Sequence, residues 1–135
     1  MASQSDNVTA STAACVENWL PFAEQQIRAI EELPDGWDSE GAGRPDSRTV
    51  RAGLDLLGTI FTAVCVPKPH INPTPSGGVQ FDWESGGRYF ELEIIDSANA
   101  SYYFEDEKLG EAKSGALRFG QPHSEFVRLL DRLIA

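Results

Sequence analysis

Apolar residues recur at helical spacing twice in the first half of the chain, then switch to every second position. Val16, Trp19, Leu20, Ala23, Ile27 and Ile30 form one apolar stripe. Pro21 falls inside it, which a helix tolerates when Asn18 is the cap and Pro21 lies in the first turn. Leu33-Pro34-Asp35-Gly36 has the residues of a type I turn and ends this helix. Gly36 to Ser47 reads as a loop rich in glycine and acids. Asp46 or Ser47 caps a second helix, with Val50, Leu54, Leu57, Phe61 and Val64 as its buried stripe. Gly53 and Gly58 weaken that helix unless they let it approach the first one closely. Pro67 and Pro69 end it.

Beyond Pro69 the period is two. His70 to Pro75 is short and proline-rich, so it is an edge strand at best. Val79, Phe81 and Trp83 alternate with Gln80, Asp82 and Glu84. Phe90, Leu92 and Ile94 alternate with Glu91 and Glu93. Gly86-Gly87 suits a two-residue hairpin loop. That loop sets Ser85 opposite Arg88, Trp83 opposite Phe90, Phe81 opposite Leu92 and Val79 opposite Ile94. All the apolar residues then share one face. A second turn at Ser97 to Asn99 would place Tyr102 opposite Ile94 and Phe104 opposite Leu92. Glu107 to Gly115 reads as a charged loop, with a short strand at Ala116 to Phe119. Pro122 opens a last helix with Phe126, Leu129, Leu130, Leu133 and Ile134 on its apolar face.

These elements predict an α+β domain. Two N-terminal helices precede an antiparallel β-meander of three to four strands, and a C-terminal helix packs on one sheet face. Residues 1–14 are small and polar and read as a flexible tail, leaving 15–135 as a single domain. A chain of 135 residues fits one domain, and 41% hydrophobic residues are enough for a core.

Charge narrows the choice of partners. Acidic residues outnumber basic ones 21 to 11, giving a net charge of -10. Such a surface repels phosphates and anionic lipid heads, and the basic residues are scattered singly. Nucleic acid and membrane are therefore unexpected partners, and a basic protein is the expected one. Cys15 and Cys65 are the only cysteines, too far apart in sequence to suggest a disulfide framework. The first residues lack a basic start and an apolar run, which points to the cytoplasm.

No complete catalytic set is visible. In the hairpin register Asp82 lies opposite Glu91 and Gln80 opposite Glu93. Like charges placed so destabilise a sheet unless something sits between them, and a divalent metal is one candidate. The arrangement resembles the PD-(D/E)xK nuclease hairpin, but Glu91-Leu92-Glu93 lacks the lysine. Asp35, Asp38 and Glu40 crowd the 36–47 loop without the spacing of a calcium site. Trp37 there is either a plug onto the core or an exposed binding anchor. His70 and His123 are too few for a zinc site. Neither Gly41-Ala42-Gly43 nor Ser76-Gly77-Gly78 has phosphate-loop or dinucleotide spacing.

Two segments carry a resemblance: LPDGWDSEGAGRPDS at 33–47 and INPTPSGGVQFDWESGGRYFELEI at 71–94. Together they resemble a family of small bacterial and phage-associated proteins with GWDG and PTPDGGVQLEW-type motifs, over roughly residues 15 to 105. This chain has Ser39 where the pattern has Gly, and Ser76 where it has Asp. The resemblance implies a compact bacterial domain and no particular reaction.

Two functions follow as expectations. The first is a non-catalytic acidic interaction module, adaptor-like, antitoxin-like or immunity-like, that binds a basic protein and is compatible with a homodimer. Trp37, Asp38, Asp82, Glu91 and Glu93 are its candidate binding residues, with no cofactor and no catalytic group. The second is a metal-dependent hydrolase or nuclease built on Asp82, Glu91 and Glu93.

Overall fold

The computed structural model describes residues 18–135. The expected tail, Cys15 and Val16 lie outside the described residues. Helix α1 (Leu20–Glu31) begins where Asn18 Oδ1 accepts the Leu20 N–H at 3.1 Å, and Pro21 occupies its first turn. Helix α2 (Ser47–Ala63) is capped by Asp46, whose carboxylate accepts from Thr49 N at 3.0 Å and Thr49 Oγ1 at 2.8 Å. The two helices are clamped by a forked ion pair. Arg51 Nε and NH2 reach the two oxygens of Glu31 at 2.9 and 2.8 Å, and Ser47 Oγ donates to the same carboxylate. Helix α3 (Ser124–Ile134) ends the chain and buries Phe126, Leu129, Leu130 and Leu133.

Five antiparallel strands lie between α2 and α3, in chain order across the sheet: β1 (His70–Pro73), β2 (Val79–Ser85), β3 (Arg88–Ile94), β4 (Asn99–Asp106) and β5 (Glu111–Arg118). The fold is α+β, with five strands where three to four were expected. The short proline-bearing β1 does lie at one edge. At the other edge β5 starts well before the expected Ala116, because its polar residues have partners. Glu111 takes Arg132 NH2 at 2.7 Å. Gly115 lies under the Tyr102 ring, where an added Cβ would come within 2.4 Å of the hydroxyl oxygen. A glycine that reads as a loop residue is what lets the two strands close.

The β2–β3 register is the expected one at every pair, from Ser85↔Arg88 to Val79↔Ile94. Gly86 (φ 56°) and Gly87 (φ 84°) both adopt the left-handed backbone that this tight turn requires. The β3–β4 register differs. Leu92 pairs with Tyr102 and Phe90 with Phe104, and Ile94 meets Ala100. The three-residue loop is Asp96 to Ala98 rather than Ser97 to Asn99. Asp96 Oδ1 sets it, accepting from Ala98 N at 2.8 Å and Asn99 Nδ2 at 3.0 Å. A shift of two residues keeps every side chain on its face.

The three helices among the described residues share the inner sheet face. Phe81, Trp83, Phe90, Leu92, Ile94 and Phe104 are essentially fully buried there, each contributing about 2 kcal/mol of burial. Phe126 of α3 packs 5.6 Å from both Phe90 and Tyr102. Gly53 brings α2 onto the sheet, not onto α1. A Cβ there would sit 3.0 Å from Ile94 and Val79. Trp19 Nε1 and Trp83 Nε1 donate to the carbonyls of Val66 and Pro67, pinning the α2–β1 link. Cys65 in that link is disulfide-bonded, against the expectation from cysteine spacing.

One carboxylate is buried with charged partners. Asp106, only 1% exposed, accepts from Arg88 Nε and Arg132 NH2 at 3.2 Å, and from the Lys108 and Leu109 N–H groups. Burial alone would raise its pKa. The Arg88 and Leu109 hydrogen bonds outweigh burial and hold it below the ordinary value of 3.8. A carboxylate depressed in the folded state stabilises the fold above its unfolded pKa and loses that contribution as pH falls through the folded value. Asp106→Asn should therefore lower the urea midpoint at neutral pH, with the gap to wild type closing under acid. A gap that stays constant from pH 7 to below 3.8 would show that the charge is not what Asp106 contributes.

Candidate functional site

With the three described helices on the inner face, no described helix covers the outer face of the sheet. Asp82, Glu84, Glu91, Glu93 and Glu105 project from it, with Gln80, Tyr89, Ser101 and Tyr103 between them. His70 stands opposite Asp82 on β1, and Arg118 lies at the far corner beside Asn99. The face therefore carries strong negative potential with little basic compensation.

The Asp82–Glu91 pair anticipated from the register is present, and a tyrosine occupies the space between its members. Tyr89 OH lies 2.9 Å from Glu91 Oε1 and 3.2 Å from Asp82 Oδ1. Gln80 Nε2 donates to the same Asp82 oxygen at 3.0 Å. Tyr103 OH repeats the device one strand over, donating to Glu105 Oε1 at 3.1 Å. The two rings tilt together at 6.5 Å. Partial burial, with Glu91 and Asp82 close by, pushes the Tyr89 hydroxyl well above the usual phenol range. Its proton stays where the carboxylates need it. Glu93 is not part of this cluster and pairs across the ladder with Gln80 and Ser101. Among the described residues, no group of three or more His, Cys, Asp or Glu is arranged to hold a metal ion.

Sequence reasoning missed Tyr89 and Tyr103 as parts of the site. The signal was present: Tyr89 shares the outward parity of Glu91 and lies two residues from it.

Trp37 and Asp38, the other two candidates, belong to a separate structure. Asp38 Oδ1 accepts from Glu40 N at 2.9 Å and Ala42 N at 3.0 Å, and these bonds hold its carboxyl below the usual aspartate range. Asp35 Oδ1 accepts from Arg44 N at 2.8 Å. Trp37 is half-buried, and its Nε1 donates to Gly43 O at 3.1 Å. The loop is fastened to the β1–β2 turn by Gly43 N to Pro75 O and Asp46 N to Gly77 O. Its acids shape a turn, and none of these bonds reaches the sheet-face carboxylates. Ser39, with φ 63°, is the single non-glycine residue with positive φ among the described residues. It occupies a conformation that glycine adopts more easily, at the position where the resembling motif has glycine.

A cleft of about 450 Å³ lies between α2 and the β5–α3 connection. Leu56 and Phe119 form its apolar walls, and Asp55 and His123 lie at its rim. The His123 ring packs edge-on against Phe126, 6.4 Å between centroids, consistent with a structural role.

Two substitutions separate these roles. Ser39→Gly should stabilise the fold by about 1 kcal/mol in urea unfolding, by relieving the left-handed backbone. No gain would mean that the serine is not strained. Tyr89→Phe should destabilise by about 1 kcal/mol, because Asp82 and Glu91 lose their shared donor. Added salt should recover part of that loss by screening the exposed carboxylates. A loss indifferent to salt would point to packing instead.

No protein-family model, no curated protein and no solved structure matches this chain.

Proposed function

We propose that the chain is a non-catalytic interaction module whose open sheet face binds a basic protein partner. One observation carries the reading: five carboxylates share a face that no helix among the described residues covers. Tyr89 and Tyr103 add rigid aromatic area, and tyrosine is common at interaction hot spots. A solvated face needs no tyrosine hydroxyl to hold two carboxylates together, whereas a binding face gains from having them fixed in advance. Long-range attraction would speed encounter with a positively charged surface and make it sensitive to salt. An adaptor, an antitoxin-like or an immunity-like protein all fit this description.

Asp82, Glu91 and Glu93 remain in the proposed surface, with Tyr89 and Tyr103 added and with Trp37 and Asp38 reassigned to the loop. The metal-dependent alternative lacks a donor set among the described residues. No helix among them is long and apolar enough to cross a membrane. The Cys65 disulfide fits an oxidising compartment or a redox-responsive protein, so the cytoplasmic expectation is not carried into this reading.

The test is affinity capture at low salt, with wild type and a Glu91→Lys/Glu93→Lys variant as paired baits. Wild type should retain a basic protein that rising salt releases, with the association rate falling steeply as the Debye length shrinks from about 30 Å to about 8 Å. The variant should lose that protein while keeping its circular dichroism spectrum. Equal retention by both baits would remove the sheet face from the interaction.

A further inference from the structure

The two edges of the sheet are built differently. β1 has four residues and ends in Pro73, so it offers little to a further strand. β5 has eight residues, Glu111-Ala112-Lys113-Ser114-Gly115-Ala116-Leu117-Arg118, and no proline. Its hydrogen-bonding parity can be read from the ladder. Phe119 N donates to Ala98 O at 2.9 Å, next to the Arg118↔Asn99 pair. Alternation along an antiparallel ladder then turns the N–H and C=O of Glu111, Lys113, Gly115 and Leu117 toward β4. Those of Arg118, at the end of the strand, point away from the sheet and its carbonyl accepts from Gln121 N, which leaves the groups of Ala112, Ser114 and Ala116 as the outward ones within the strand. Among the described residues, no backbone bond meets them.

We propose that β5 pairs antiparallel with β5 of a second copy, joining two sheets into one across a two-fold axis at Ser114. That register sets Ser114 opposite its own equivalent and Ala112 opposite Ala116 of the second copy. It matches the three outward-facing residues on each side, and their small side chains do not collide on the outer face. On the inner face Lys113 faces Gly115 of the second copy, whose missing side chain leaves its place to the Tyr102 ring, so the Lys113 stem would lie beside that ring. Inward charges on an edge usually discourage pairing. Here Glu111 is already held by Arg132 at 2.7 Å, and the Lys113 ammonium lies 3.9 Å from Glu111.

Charge favours a second copy as the occupant. The protein carries -10 overall, and its outer face would repel another such face. Beside β5 the signs balance: Glu111, Glu125 and Asp131 stand with Lys113, Arg128 and Arg132 around one shallow groove. Two copies meeting there bring together near-neutral surfaces containing both signs. The short β1 edges then face outward, so growth stops at the dimer. The contact is mostly backbone and small in area, so association belongs to the weak end of interface affinities. The proposal is independent of the partner assigned to the acidic face.

Sedimentation equilibrium of the full chain tests it. The mass should rise from 14.8 kDa toward twice that value between micromolar and millimolar concentration. Ser114→Pro removes an N–H that the fold itself does not use, and should hold the mass at 14.8 kDa with an unchanged urea midpoint. Amide exchange gives a second readout without substitution. The N–H groups of Ala112, Ser114 and Ala116 should exchange more slowly as concentration rises, and those of β1 should not. A wild type that stays monomeric at all concentrations overturns the proposal. So does a Ser114→Pro variant that associates as tightly as wild type, or protection at these three amides that ignores concentration.

Discussion

The row of aromatic side chains running Trp83, Phe90, Phe104 across three strands is the contact on which the rest of the architecture depends. Trp83 faces Phe90 with ring centroids 6.1 Å apart, and Phe90 faces Phe104 at 6.3 Å. The turn at Gly86-Gly87 makes that row possible, because two consecutive positive φ angles give a two-residue loop whose twist matches its strands. A slip of one residue would send these rings into water and carry the carboxylates into the core. The register is therefore held by two independent constraints, the geometry of the bend and the free energy of burial. Phe126 seats α3 on this row, and Gly53 seats α2 beside it.

The same parity that buries the rings concentrates acids on the other side. Placing Asp82 opposite Glu91 costs energy in a plain sheet. The chain answers with neutral donors rather than cations: the hydroxyl of Tyr89, the amide of Gln80 and, one strand over, the hydroxyl of Tyr103. A lysine or arginine there would have cancelled the field. Tyrosine fixes the carboxylates and leaves their charge intact. The face keeps its negative potential as well as its shape, which is the combination that recognition of a basic surface requires.

The hairpin was legible in the sequence because turn chemistry and alternation agreed. The next turn was misplaced by one residue, since Asp96 and Ser97 are both good turn residues and only the Asp96 side-chain bonds decide between them. β5 was largely illegible for a different reason. Its inward positions are Glu111 and Lys113, which no hydrophobic pattern marks, and its Gly115 is small to admit Tyr102 from the neighbouring strand. In the candidate site, the carboxylates of the sheet face followed from register. The turn bonds of Asp38 did not, because an acid that caps turn amides and an acid that awaits a partner look alike in a sequence.

Charge is sorted by position more sharply than composition suggests. The outer face is acidic, the free edge of β5 is flanked by balanced charge, and the buried Asp106 is met by two arginines, one of them shared with Glu111. A basic partner approaching the face and a second copy approaching the edge would meet different surfaces and would not compete. Joined through β5, two faces would lie side by side in one sheet, and a basic partner with two matched patches would then gain from both at once. The neutral column of Ala112, Ser114 and Ala116 is what makes that geometry electrostatically tolerable, since two β5 strands then separate the two sets of carboxylates by three strand spacings, about 14 Å and more than the Debye length of about 8 Å at physiological salt.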